Sequence, residues 1–506
     1  MEQWLRTLYT CCSLSFQPKP SKLLIGSQGF FGLSSVAISL DEFNSHLYVV
    51  GQSGQGKSKF LQQLLYQLCF TNWGCGVFDP HSDLASDLLA QLAAYPRGHP
   101  WLKNPANCQR LIYLDPSRDD YLVPFNIFRS TSSTPYEIAE NLVEAFRRVW
   151  PDTLSEAPRF AQILRNAALV LALKGLSLLE LEPLLTNPAF RRRMLADIPD
   201  PLVVSFFTHQ FDRWGREQAI FASPVLNKVS AFLFKPQVRC MLGANDNYLD
   251  FRRILDEGKV LIVNLGGFHD EETQRLLGSL LVTSLEQAAF SRSTQAPSAR
   301  RPFFCTIDEF PLFCSRDQTS LARILSECRK YRLHLGLAHQ TITQLPGERI
   351  HGALENAKLK VIFGTGRQTA QAIVGDLFMP DPQAVKHEVT DEQAQERSHP
   401  LYNPLAEQFE TSTQTIQRLS HRRVLVKLPD TEQVAQVRVP VVPKSLLNTA
   451  QLERLKAYLA QQVGEPRKDL ETEIAERAKA QQLVPVIAPS PPAVAAGKQQ
   501  RNDFWQ

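Results

Sequence analysis

An α/β fold with a largely parallel sheet, interrupted by an all-helical insertion, is predicted by three observations. Eight short apolar runs stand out: His46–Val50, Gly76–Asp79, Leu111–Leu114, Lys259–Leu265, Pro302–Ile307, His334–Ala338, Lys360–Phe363 and Arg423–Lys427. Runs of this length, rich in β-branched and aromatic residues and lacking polar alternation, read as strands buried on both faces of a sheet. Helical periodicity fills intervals between them, as in Phe60, Leu61, Leu64, Leu65 and Leu68 directly after the first run. Between Thr134 and about Asp250 the strand signal disappears, while Ile138, Leu142 and Phe146, then Phe160, Ile163, Leu164, Ala167, Ala168 and Leu171, keep helical spacing. A helical domain set into an α/β domain is the simplest arrangement that satisfies all three.

Composition bounds the function classes. The 506 residues are 43% hydrophobic and 21% charged, which excludes wholesale disorder. A net charge of +4, from 55 basic and 51 acidic residues, is too small for bulk attraction to nucleic acid, so a DNA surface would be a local patch. The nine cysteines stand singly apart from Cys11–Cys12, the pattern of reduced thiols in a cytoplasmic protein. Glu2 and Arg6 interrupt the N-terminus where a secretory signal would be apolar. The window Ala167 to Leu185 contains Lys174, Gly175, Glu180, Glu182 and Pro183, and reads as packed helix, not as an integral membrane segment.

The first strand runs into Gly51-Gln52-Ser53-Gly54-Gln55-Gly56-Lys57-Ser58, which fits the phosphate-binding pattern G-x-x-x-x-G-K-[ST] with a strand before it and an amphipathic helix after it. Glycines let successive N–H groups turn toward phosphates, and the helix start adds its positive end. Lys57 then suits the β- and γ-phosphates of ATP, and Ser58 suits Mg²⁺. Phe303 to Ile307 form an apolar strand ending in Asp308 and Glu309. Asp308 fits the metal's coordination sphere, and Glu309 fits polarisation of the attacking water; the competing reading is two acids that merely solvate a strand end. Gln340 ends the strand from His334 and suits reporting the γ-phosphate, although a capping amide has the same position. Arg329, Lys330 and Arg332 precede that strand, and a guanidinium there suits transition-state charge across a subunit boundary; the competing reading is a solvated basic helix end.

Together these segments resemble the HerA and FtsK superfamily of hexameric P-loop motor ATPases, more closely the soluble cousins of conjugative DNA-transfer coupling ATPases. The likeness rests on the P-loop, on Phe78-Asp79-Pro80-His81-Ser82-Asp83-Leu84, on Ile254 to Leu265, and on the stretch from Asp308-Glu309 through Arg329-Lys330-Tyr331 to Ala338-His339-Gln340. It spans roughly residues 25 to 440. The resemblance implies a RecA-like domain in two parts, 1–129 and 251–445, around an all-α insertion at 130–250, with a helix and flexible tail at 446–506. It implies that Asp79 is a further active-site acid, Gln340 the sensor and Arg329 an arginine finger. It also implies a ring, a hexamer, that translocates DNA for conjugative transfer, with a relaxase, a nuclease or a secretion channel as partner. The alternatives are an end-resection motor with a nuclease, a secretion ATPase acting on protein, and a non-motor ATP-binding switch. Two departures are evident: Ser82 stands where the family has Gly, and no N-terminal membrane helices are found.

Other groupings carry less. Cys305, Cys314 and Cys328 near His334 and His339 match no zinc spacing. His81, Ser82 and Asp83 are neighbours in sequence, whereas a hydrolytic triad is assembled from separate elements. Arg191-Arg192-Arg193 reads as a solvated helix face, with DNA or partner contact as the alternative. Pro485, Pro489, Pro491 and Pro492 mark a linker toward Phe504-Trp505, which is either a frayed end or a docking tip.

Overall fold

The computed structural model describes residues 21–29, 34–94, 101–130, 133–150, 158–313, 319–345, 352, 354–391, 397–429, 431 and 433–483. Fifteen strands enter the description in chain order: β1 (Lys22–Gln28), β2 (Ser34–Ser39), β3 (Leu47–Val50), β4 (Gly74–Asp79), β5 (Leu111–Leu114), β6 (Tyr121–Leu122), β7 (Val260–Asn264), β8 (Phe303–Ile307), β9 (Leu333–His339), β10 (Leu359–Ile362), β11 (Val385–Asp391), β12 (Arg397–Tyr402), β13 (Arg423–Lys427), β14 (Val434–Arg438) and β15 (Glu465–Pro466). Eleven of them form one sheet in the order β2-β1-β14-β13-β10-β3-β9-β8-β4-β7-β5. The seven from β10 to β5 pair in parallel, and the four beyond β10 are antiparallel.

All eight runs recognised in the sequence are strands of this sheet. Successive side chains leave opposite faces. Val50, Phe78, Val263 and Ile307 therefore belong to one apolar core, and their neighbours Val49, Val77, Ile262 and Phe304 to another. The first core is continuous with the interior of the helical stretch, through Leu142, Phe146, Ile163 and Leu171. A buried ion pair crosses the same junction, Arg148 to Glu286 at 3.0 Å. Among the described residues no strand lies between β6 and β7, and helices Pro135–Val149, Pro158–Lys174 and Glu217–Leu233 are the longest elements there.

The chain end returns to this helical stretch. Helix Thr449–Val463 packs on β5, and helix Arg467–Leu483 on helix Pro236–Gly243. Arg477 of the last helix donates to Glu180 Oε1 at 3.0 Å and to Ser177 Oγ at 3.1 Å. The proline-rich segment and Phe504-Trp505 lie outside the described residues. One surface expectation is corrected. Arg191 is buried, because its guanidinium pairs with Asp212 and donates to the carbonyls of Leu184 and Leu185 at 2.9 and 3.2 Å. No helix among the described residues is long and apolar enough to cross a membrane.

Candidate nucleotide site

Parallel strands end on one edge of the sheet, and in such folds ligands sit outside the carboxyl ends. β3, β9, β8 and β4 are adjacent in that order, so the P-loop, Gln340, Asp308-Glu309 and Asp79 necessarily meet along this edge. Gly54 and Gly56 adopt φ of +79° and +108°, values that L side chains rarely tolerate. Gly51 is required for space instead, since a Cβ there would collide with Phe363 after β10. Helix Lys57–Cys69 starts immediately after Gly56, which brings Ser58 into its first turn. Lys57 is buried and donates to the Gly51 carbonyl at 2.8 Å. Burial depresses its pKa, while Glu309 and Asp308 oppose the shift, so the ammonium faces the acid pair.

Asp308 and Glu309 are both buried. Desolvation, then the charges of Asp79 and Glu309, raise the Asp308 pKa to about 6 against the pull of Lys57. Two acids thus face one ammonium, with Asp79 adding to the charge around Asp308, and a divalent cation beside Asp308 and Ser58 would relieve that excess. Glu309 has φ of +44°, uncommon for a non-glycine residue and of the kind that clusters at functional sites. Its Oε1 accepts from Gln340 Nε2 at 2.9 Å, and its Oε2 from Gln344 Nε2 at 3.3 Å. Gln340 therefore contacts the acid rather than merely capping its strand. Gln344 escaped the sequence reading; the signal was Thr341-x-x-Gln344, the spacing of a capping box directly after Gln340.

Asp79 is fully buried, and desolvation raises its pKa. Its carboxylate accepts from the N–H groups of His81 and Ala85, each at 2.8 Å, so within the chain it organises the turn into helix Asp83–Ala93. Ser82 takes the left-handed conformation at φ of +69° that a glycine would adopt freely. Its hydroxyl donates to Asn264 Oδ1 at 2.7 Å, which offsets the strain. Ser82 thus holds a left-handed turn and links it to β7.

β9 ties Gln340 to the P-loop strand. His339 Nδ1–H donates to the Thr341 carbonyl at 2.9 Å, which leaves Nε2 to accept from the Tyr48 hydroxyl at 2.8 Å. Arg329 lies at the opposite end of β9, exposed on the turn Cys328–Tyr331. A seven-residue strand separates the two ends by about 20 Å. Arg329 therefore does not reach the site of its own chain. His334 and His339 likewise occupy opposite ends of β9 and share no site, Cys305 is inside the sheet, and Cys314 lies outside the described residues.

The fold and its edge define a RecA-like P-loop architecture interrupted by a helical insertion. Solved structures share it. The bacterial conjugative coupling protein TrwBdeltaN70, in an unbound monoclinic form, matches with a TM-score of 0.57 and 18% identity over 86% of this chain and 92% of that one. The plasmid coupling protein TrwB in complex with ADP and Mg²⁺ matches with a TM-score of 0.57 and 19% identity, over 86% and 92%. VirB4 of Thermoanaerobacter pseudethanolicus follows with a TM-score of 0.51 and 11% identity, over 85% and 99%. At these identities the likeness is one of fold. No family model and no curated protein matches the sequence.

Proposed function

We propose that this chain is an ATPase motor that assembles as a ring, a hexamer, in the cytoplasm and moves DNA through its centre, in the service of conjugative or mobile-element transfer. The observation that carries the reading is the convergence of Lys57, Asp308, Glu309 and Gln340 on one sheet edge. The parallel core order, with β9 between the P-loop strand and the acidic strand, makes that convergence obligatory. Backbone N–H groups of Gly51 to Ser58 cradle the phosphates, and Lys57 exchanges its Gly51 carbonyl for phosphate oxygens. Mg²⁺, held by Ser58 and Asp308, supplies neutralisation of phosphate charge when bound. Glu309 orients and polarises the attacking water, and Gln340, already on its carboxylate, relays the state of the γ-phosphate along β9. Arg329 serves the site of a neighbouring copy. TrwB has been solved with ADP and Mg²⁺ and with non-hydrolysable ATP and GTP analogues, which supports the same ligands here.

The DNA step is tested by ATP turnover with duplex DNA, single-stranded DNA or unfolded polypeptide. DNA stimulates hydrolysis, and the stimulation fades between about 50 and 200 mM salt because each neutralised phosphate releases counterions. Flat salt dependence with stimulation by polypeptide would replace DNA by protein as the substrate. Binding of ATP without turnover would reduce the chain to a switch.

A further inference from the structure

We infer that Gln344 is a positioning residue for Glu309, which deepens the proposed function and rests on Glu309 as the water-polarising acid. Three side-chain bonds place it. Its amide nitrogen donates to Glu309 Oε2, and its Oε1 accepts from the N–H groups of Gln340 and Thr341, both at 3.1 Å. Gln340 in turn donates to Glu309 Oε1. One side chain therefore holds both the acid and the backbone of the residue that senses it.

The mount is firm. Gln344 ends the turn Ile342–Gln344, in which Ile342 and Leu345 are buried and the Ile342 N–H donates to Thr369 Oγ1 at 3.2 Å. Glu309 needs such a mount because its backbone is in a conformation that its own residue type disfavours. A carboxylate held through both oxygens has one orientation toward a water; held through one, it swings. Gln344 acts through Glu309.

Gln344→Glu separates this role from simple capping. A carboxylate still accepts from the Gln340 and Thr341 N–H groups, so the turn survives, but the donor to Glu309 is replaced by a repelling oxygen. At pH 8, kcat for ATP should fall about tenfold or more while KM stays within about twofold. Lowering the pH toward 5 should recover part of the loss relative to wild type, as the introduced carboxyl takes up a proton and donates again. Gln344→Ala should show the same fall without the recovery, and in a Glu309→Gln background Gln344→Glu should add nothing. Wild-type kcat in Gln344→Glu, or a change confined to KM, would overturn the assignment while leaving the ATPase reading intact. Absence of turnover in the unsubstituted chain would instead sink the ATPase reading itself.

Discussion

The two ends of β9 are built by opposite rules. At the carboxyl end His339 is buried with both ring nitrogens bonded, and Gln340 joins a network of Glu309, Gln344 and backbone N–H groups. At the amino end His334 is equally buried, and neither ring nitrogen has a hydrogen-bond partner among the described residues. It stacks near Trp73 and His46, with centroids 5.4 and 6.3 Å away, and His46 accepts from the Leu335 N–H at 2.9 Å. Satisfied buried polar groups specify one geometry, whereas unsatisfied ones only cost stability. The first end is thus organised for chemistry inside the chain. The second holds its imidazoles neutral behind the exposed Arg329.

Removing the ammonium or the acid from the carboxyl end has the largest expected effect. Lys57→Ala abolishes turnover and weakens ATP binding, while Glu309→Gln keeps ATP bound and lowers turnover by about 10² to 10⁴. Steady-state kinetics beside equilibrium nucleotide binding separates the two. Similar turnover in Glu309→Gln and wild type would mean that the acid pair only solvates a strand end.

Stability of the nucleotide-free chain sharpens the comparison next. The folded chain binds a proton at Asp308 more tightly than the unfolded chain does, with a pKa of about 6 against 3.8. Its contribution to stability is greatest below 3.8 and declines as pH rises through 6, a loss of about 3 kcal/mol. Asp308→Asn keeps the oxygen that accepts from the Glu309 N–H at 3.1 Å. It should therefore raise stability at pH 7.5 by up to that amount while abolishing Mg²⁺-dependent turnover, as urea unfolding of the nucleotide-free chain will read.

The amino end gives the opposite sign. Burial lowers the His46 pKa from 6.5 to about 4 and pushes that of His334 well below its usual value. Both contribute stability that is complete above pH 6.5 and is lost as pH falls toward 4, about 3 kcal/mol from His46 alone. His334→Leu removes one of these groups and no hydrogen bond. Its unfolding free energy should fall less steeply with acid than that of wild type, and an unchanged slope would remove His334 from the account.

The legibility of these features in the sequence follows from the same physics. Central strands are apolar on both faces, so their runs were unmistakable, and the P-loop carries its own spacing. β1, β2 and β14 were missed because the antiparallel flank of the sheet buries only some residues of each strand, and theirs are diluted by Ser, Gly and Gln, as in Ser34-Ser35-Val36-Ala37-Ile38-Ser39. The hairpin β11–β12 is missing from the expectation for a related reason: Lys386, His387 and Glu388 follow one another with no apolar face. Arg191 read as surface because it stands in a run of arginines, and only the fold brings Asp212 to it. Glu309, Asp308 and Gln340 were legible as strand ends. Gln344 was not, because a polar residue in a surface turn announces a partner only once the sheet has placed Glu309 beside it.

If the two ends of β9 serve two different sites as proposed, Gln340 acts in its own chain and Arg329 in a neighbouring copy. Mixing Arg329→Ala chains with Lys57→Ala chains, each inactive alone, tests it directly through ATP turnover. An intact P-loop then meets an intact guanidinium at a fraction of the interfaces, and turnover should reappear and peak near equal proportions. Mixtures that stay inactive at every ratio, while each variant still binds wild-type chains, would contradict it.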